Sequence, residues 1–350
     1  MIDVIKSKNI LWVDIAKFIA MFLVVLEHVV LAFKMQDSEV IGYIRNVIVT
    51  FHMPVFFFIS GYLYKQRTKH DNYVKILYSL AIPYLIYQFL YLPLKLGYYI
   101  SYENISPLSA TIKCFVGILL GDNLGTQGSK YALSVCPACW FIMVMIQLRL
   151  IFSQINITQR KLFYISIISI ISLLCLNVAN IDLYFCLDNT LYAIPYFSLG
   201  YYIKNYGSNL NLQKINNCYL VIVLLLILQL VYFIHHNFHN LITIYLCGFI
   251  GIFFLITFSK LWKKSNVFIN IIAKNTLFLI FFQSLFLFIT KWIKLYDLMN
   301  DIPHTSIKLL FVIFYSFFIY VISYYIILLI QKCKLEILLG KKFISKGNVK

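Results

Sequence analysis

The chain has 350 residues, of which 61% are hydrophobic and 12% charged, with a mean hydropathy of +0.83. A soluble domain carries about 45–50% apolar and about 25% charged residues, so this composition excludes a soluble globular protein and indicates a membrane protein. The net charge of +17 is accounted for by topology if the cations lie in loops on one side of a bilayer, and then no nucleic-acid partner is needed.

A helix needs about 20 largely apolar residues to cross a bilayer core. In chain order the sequence offers candidates at 10–33, 43–63, 76–99, 137–155, 161–180, 184–203, 217–235, 241–259, 266–291 and 306–331. The expectation is therefore an all-α polytopic bundle of about ten transmembrane helices. The first run follows Lys6 and Lys8 but contains Asp14, Lys17, Glu27 and His28, and it lacks a small-residue cleavage site. It reads as a retained span rather than a signal peptide. With the amino terminus inside, twenty cations fall in inside segments and eight in outside ones, which predicts that both termini are cytoplasmic. The stretch near 110–120 is apolar enough to lie at the interface or dip inward. Residues 1–331 read as the membrane domain and 332–350 as a basic cytoplasmic tail.

Ionisable groups inside spans are costly and are functional candidates by default. In the first span Lys17 lies roughly 60° and His28 roughly 40° from Asp14 around the helix, so the three share a face, while Glu27 is expected to point away by more than a right angle. Lys17 and His28 are about 16 Å apart along the axis. In the second span Arg45 and His52 share a face, and His28, Arg45 and His52 are expected to converge in the outer half of the membrane. The bland alternative makes Asp14 and Lys17 a boundary ion pair and has the histidines satisfy backbone carbonyls at the Pro54 kink.

Other constellations carry less. His235, His236 and His239 read as a solvated outer loop rather than a metal site, for which no carboxylate or cysteine completes the set. Cys136 and Cys139 form a CxxC at a membrane edge, with a disulfide or chance preferred to a redox site. Gly121, Gly125 and Gly128 before Lys130 lack P-loop spacing.

The first span, WVDIAKFIAMFLVVLEH from Trp12 to His28, resembles the opening of the acyltransferase 3 family of integral membrane acyltransferases, whose signature is a basic residue and a histidine separated by ten residues. FHMPVFFFISGYLY, from Phe51 to Tyr64, resembles that family's second block in the form of the fucose 4-O-acetylase-like branch. Weaker echoes are IPYLIY from Ile82, CWFIMVMI from Cys139 and IAKNTLFLIFFQ from Ile272 to Gln283. The last block usually ends in histidine in the family, where this chain has Gln283. The basic pair before the third span is matched only loosely, by Lys75 and the cluster Lys65, Arg67 and Lys69.

The resemblance implies a multi-pass inner-membrane O-acyltransferase moving acetyl from cytoplasmic acetyl-CoA to a sugar hydroxyl of a surface polysaccharide or its lipid-linked precursor. No bound cofactor is expected, with acetyl-CoA serving as a substrate. Such a reaction needs a base for the alcohol and stabilisation of an oxyanion. His28 is then the candidate base, with Arg45 and His52 orienting it or donating to developing charge. Lys17, with Lys65, Arg67 and Lys75, is the candidate acyl-CoA contact, and Asp14, Trp140 and Asn275 are supporting residues. The alternative is a polysaccharide export component or small-molecule transporter on the same fold.

Overall fold

The computed structural model describes residues 10–121, 131–207, 217–238, 240–293 and 304–341. Its main helices, in chain order, are α1 (Leu11–Ala32), α2 (Glu39–Leu63), α3 (Lys69–Tyr102, with a π-helical segment at Leu77–Ala81), α4 (Pro107–Leu120), α5 (Trp140–Gln154), α6 (Gln159–Ala179), α7 (Leu187–Tyr206), α8 (Asn217–Phe238), α9 (Leu241–Lys260), α10 (Val267–Lys274), α11 (Thr276–Trp292) and α12 (Thr305–Lys332). Local capping sets several boundaries. Thr68, Thr158, Asn240 and Asn266 each accept a backbone N–H at the start of α3, α6, α9 and α10. Asn180 closes α6 in the left-handed conformation, which asparagine tolerates.

Among the described residues, eight helical stretches are long and apolar enough to span a bilayer, and α10 with α11 makes a ninth if that pair, bent by 84°, counts as one span. The chain thus forms a polytopic helical bundle, with two departures from ten plain spans. The run at 266–291 is not straight: Asn275 separates its two helices. The run at 184–203 is a 20-residue helix, α7, less apolar than the others because it carries Asp188, Asn189, Lys204 and Asn205. A helix can afford those groups when its middle faces protein rather than lipid, and Ala193, Ile194, Tyr196 and Phe197 are buried. The stretch near 110–120 is α4, at 14 residues too short to cross.

The helices sort into two compact units. The first comprises residues up to Leu63, Leu199–Leu279 and Phe286–Tyr324. In it α1 packs on α2, α9 and α10, α2 packs on α9, and α8 packs on α9. Small residues permit the closest approaches. A Cβ on Gly251 of α9 would collide with the Phe51 side chain of α2, and one on Gly200 would strike the Phe58 carbonyl. The first and last helices are joined by the Tyr320 hydroxyl, which donates to the Phe18 carbonyl at 2.9 Å, with the two rings edge to face at 5.3 Å.

The second unit comprises Tyr64–Ser198, Ile280–Leu285 and Tyr325–Lys350. Its organising element is one face of α3, where Tyr84, Tyr87 and Tyr91 recur at helical spacing. Their hydroxyls donate to the carbonyls of Ile118 (2.5 Å), Leu338 and Ser284 (3.0 Å), and the Tyr87 ring stacks on Phe281 at 4.4 Å. Each such bond is worth about 1 kcal/mol net, and each hydroxyl would be expensive to bury without one. Of the expected tail, Leu338 is engaged by Tyr87 and Leu339 is buried. Residues from Lys342 onward, like Lys6, Lys8, Gly125, Gly128, Lys130 and His239, lie outside the described residues.

Candidate active site

The polar residues of α1 and α2 meet around one carboxylate, within the first unit. Glu27 is buried, and its Oε1 accepts from Arg45 Nη2 at 2.9 Å and from Arg45 Nε at 3.1 Å. Its Oε2 lies 3.3 Å from Nδ1 of His28. Arg45 also donates to Asn46 Oδ1 at 3.1 Å. The His28 side chain is 39% exposed, so a group entering from outside the protein can reach its imidazole, whereas Glu27 behind it is shielded. A charge-assisted pair of this kind, removed from water, holds its geometry better than an exposed one.

His52 is buried as well. Its Nδ1 lies 2.8 Å from the Ile48 carbonyl, an acceptor only, so that nitrogen carries a hydrogen. His28 and Arg45 meet through Glu27, and His52 lies within electrostatic reach of all three. The carbonyl-capping alternative also holds for His52, though the carbonyl is that of Ile48 and not the Thr50 carbonyl that Pro54 leaves without its helical donor.

Glu27 does not point away. Helical-wheel geometry measured the direction of its Cβ from Asp14, but the link is made to the neighbouring helix by a long side chain, and Arg45 reaches it from there. The signal that could have found it was its type: a carboxylate in an apolar span needs a cationic partner, and Arg45 is the nearest cation in a facing span.

At the other end of α1, Asp14 is buried and within electrostatic reach of Lys17 and of Lys274, the last residue of α10. Lys274 was not anticipated. Asn275, next along, is buried, and its side-chain amide donates to the Ile271 carbonyl at 2.6 Å, capping α10 where the chain turns. Lys17 and Asn275 thus belong to the Asp14 end of the first unit.

Lys65, Arg67, Lys75 and Trp140 belong to the second unit. There Lys75 is joined by Arg149, whose charge, with those of Arg67 and Lys65, acts on it. Arg149 Nη1 lies 3.4 Å from Ser79 Oγ, and Gln154 Nε2 donates to Tyr73 Oη at 2.6 Å, fastening the start of α3 to the end of α5. Trp140 opens α5 with its ring edge-on to Phe141. Gln283, in the histidine position of the resembled block, is fully buried, and among the described residues neither of its amide atoms has a hydrogen-bond partner.

The lesser constellations resolve more simply. His235 and His236 lie in the last turn of α8 rather than in a loop, with His235 Nδ1 2.9 Å from Thr243 Oγ1. Cys136 and Cys139 are buried and form no disulfide.

Residues 10–329 match the family described as an acyltransferase domain, of the acyltransferase 3 type. No curated protein and no solved structure matches the chain.

Proposed function

The chain belongs to the acyltransferase 3 family of membrane acyltransferases, and from that premise we propose that it transfers acetyl from cytoplasmic acetyl-CoA to a sugar hydroxyl of a surface polysaccharide or its lipid-linked precursor, in the inner membrane with both termini cytoplasmic. The observation that supports this most is the His28 imidazole, accessible on one side and backed by the Glu27 carboxylate on the other. His28 takes the proton of the acceptor hydroxyl on Nε2. The alkoxide attacks the thioester carbonyl, the C–S bond breaks, and the leaving thiolate recovers the proton. Glu27 stabilises the imidazolium that forms in between, and Arg45 holds Glu27 in position. Arg45 thus acts on the base through Glu27.

Lys17 supplies a cation roughly 16 Å along α1 from His28, a separation suited to a donor that is anionic at one end and reactive at the other. In this reading it holds a phosphate of the donor; Lys65, Arg67 and Lys75, joined by Arg149, are a second candidate acyl-CoA contact, taken within the second unit by itself. Acetyl-CoA enters as a substrate, and the acceptor is a glycan or lipid-linked sugar. The fucose 4-O-acetylase-like second block supports a sugar as acceptor. The export reading rests on polar spans alone. The broken pair α10 and α11 has no counterpart of its kind among the described residues, whereas transporter folds pair such helices between repeats.

The test is mass analysis of surface glycans from cells carrying the wild-type chain or His28→Ala at equal membrane abundance. Loss of one acetyl mass per modified sugar in the variant is the expected result. Unmodified glycan trapped inside the cell would instead favour export.

A further inference from the structure

One cavity of the first unit is unrelated to the histidine cluster. It has a volume of about 270 Å³ and is lined by the Trp12 end of α1, Tyr62 at the end of α2, Leu224 of α8, and Ile256, Thr257 and Lys260 of α9, with contributions from neighbouring apolar residues. The stretch of α9 that lines it, from Phe253 to Lys260, rises about 10 Å, so the cavity is an elongated groove rather than a shallow dent. Its walls are hydrocarbon and aromatic. Of its two side-chain hydroxyls, Thr257 Oγ1 donates to the Phe253 carbonyl of its own helix at 2.7 Å, and the Tyr62 phenol lies at the end of α2.

Cations stand at one end only. Lys260 lines the groove itself, and Lys204 Nζ sits 5.4 Å from the centre of the Tyr62 ring. Among the described residues, no carboxylate lies within ion-pair distance of either ammonium group. Trp12 and Tyr62, edge to face at 4.9 Å, mark the same level, and such amphipathic rings settle at the headgroup depth of a bilayer. The cation bias of the loops assigns this end to the cytoplasmic side. The outer wall, α8, exposes Ile222, Val223, Leu226 and Leu230, as a lipid-facing helix does.

We propose that this groove binds one anionic phospholipid of the cytoplasmic leaflet, with an acyl chain between α8 and α9 and its phosphate between Lys204 and Lys260. The charge complementarity selects an anionic head, and the hydrocarbon wall selects a chain. The neutral lining groups able to donate, the Tyr62 hydroxyl and the Trp12 indole N–H, belong to the end where the cations stand, so the polar head lies there and the chain along the apolar wall. The site is separate from the acyl-transfer chemistry and does not depend on which donor or acceptor is used.

The experiment uses the full chain with Trp140, Trp262 and Trp292 changed to Phe, so that Trp12 emission alone reports on the groove. Phosphatidylglycerol or phosphatidylcholine with brominated chains is titrated into the purified protein. Quenching is expected at lower concentrations of the anionic lipid, and Lys204→Gln with Lys260→Gln should erase that preference, at roughly fivefold per lysine. Neither lysine is a packed core residue, so the double variant keeps its fold. Leu224→Trp, in a second background, should reduce binding of both lipids by filling the groove. Equal quenching by the two lipids in the starting protein overturns the proposal. So does a preference that survives the double substitution, or quenching reversed by a polyprenyl-phosphate sugar more readily than by phosphatidylglycerol.

Discussion

Arg45 reaches Glu27 across the gap between the first two helices with two nitrogens on a single carboxylate oxygen, at 2.9 and 3.1 Å. The second carboxylate oxygen is thereby left to face His28. That division of labour separates the structural role of the pair from its chemical role, and mutation can test the two apart.

Replacing Arg45 leaves the buried Glu27 charge without its partner, which costs about 3–5 kcal/mol, and replacing Glu27 leaves the partly exposed Arg45 unpaired at a smaller cost. Arg45→Gln is therefore expected to lower the thermal midpoint of the purified protein sharply, and Glu27→Leu to lower it less. The double variant Glu27→Gln with Arg45→Gln removes both charges at nearly constant volume and should recover most of that loss. It should not recover acyl transfer, since the imidazolium then lacks its counter-charge. A thermal-shift assay beside a turnover assay distinguishes the outcomes.

His28→Ala should abolish transfer while leaving membrane insertion and thermal stability within about 0.5 kcal/mol of the parent, because its side chain is partly exposed and buries little. Glu27→Gln, with Arg45 retained, should reduce turnover by about 10²-fold or more. Turnover assays on acetyl-CoA with membranes of matched protein content provide the measurement.

His52→Leu gives up the bond to the Ile48 carbonyl but keeps the volume. The expected cost is about 1 kcal/mol of stability, with turnover lowered far less than by His28→Ala, since His52 is buried whereas the His28 side chain is 39% exposed. Equal losses from the two substitutions would show that His52 touches the reacting groups.

Gln283 is buried with both amide atoms unpartnered among the described residues, and a buried amide in that state costs about 1–3 kcal/mol. Gln283→Leu is expected to raise the thermal midpoint. If the amide serves the reaction, the same variant loses turnover as it gains stability, a trade that a purely structural glutamine would not show.

Much of this arrangement is legible in the sequence, and the limits have physical causes. The positions of His28, Arg45 and His52 follow from helical period and opposed helix direction, which are fixed by backbone geometry. Glu27 escapes the same reasoning because a glutamate spans several ångströms beyond its Cβ, so the wheel angle of its backbone says little about where its charge sits. Asn275 marks a helix break that hydropathy cannot see, since the residues on both sides are equally apolar. The run offered at 184–203 is the helix α7, whose polar ends make it less apolar than the other long helices. Arg149 is read from sequence as one more inside cation, and only the packing of α5 against the start of α3 brings it to Lys75.

The bond from Tyr320 to the Phe18 carbonyl closes a contact between residues 302 positions apart. During synthesis a ribosome has delivered nearly the whole described chain before that hydroxyl exists, whereas Glu27 and Arg45, 18 positions apart, can find each other as soon as the second helix emerges. The hairpin of the first two helices can therefore neutralise its own charges early and wait in the bilayer. The first unit is completed only when the final helix arrives. Chains truncated before residue 305 should insert and pair Glu27 with Arg45, yet present an unfinished face to the quality-control proteases of the membrane.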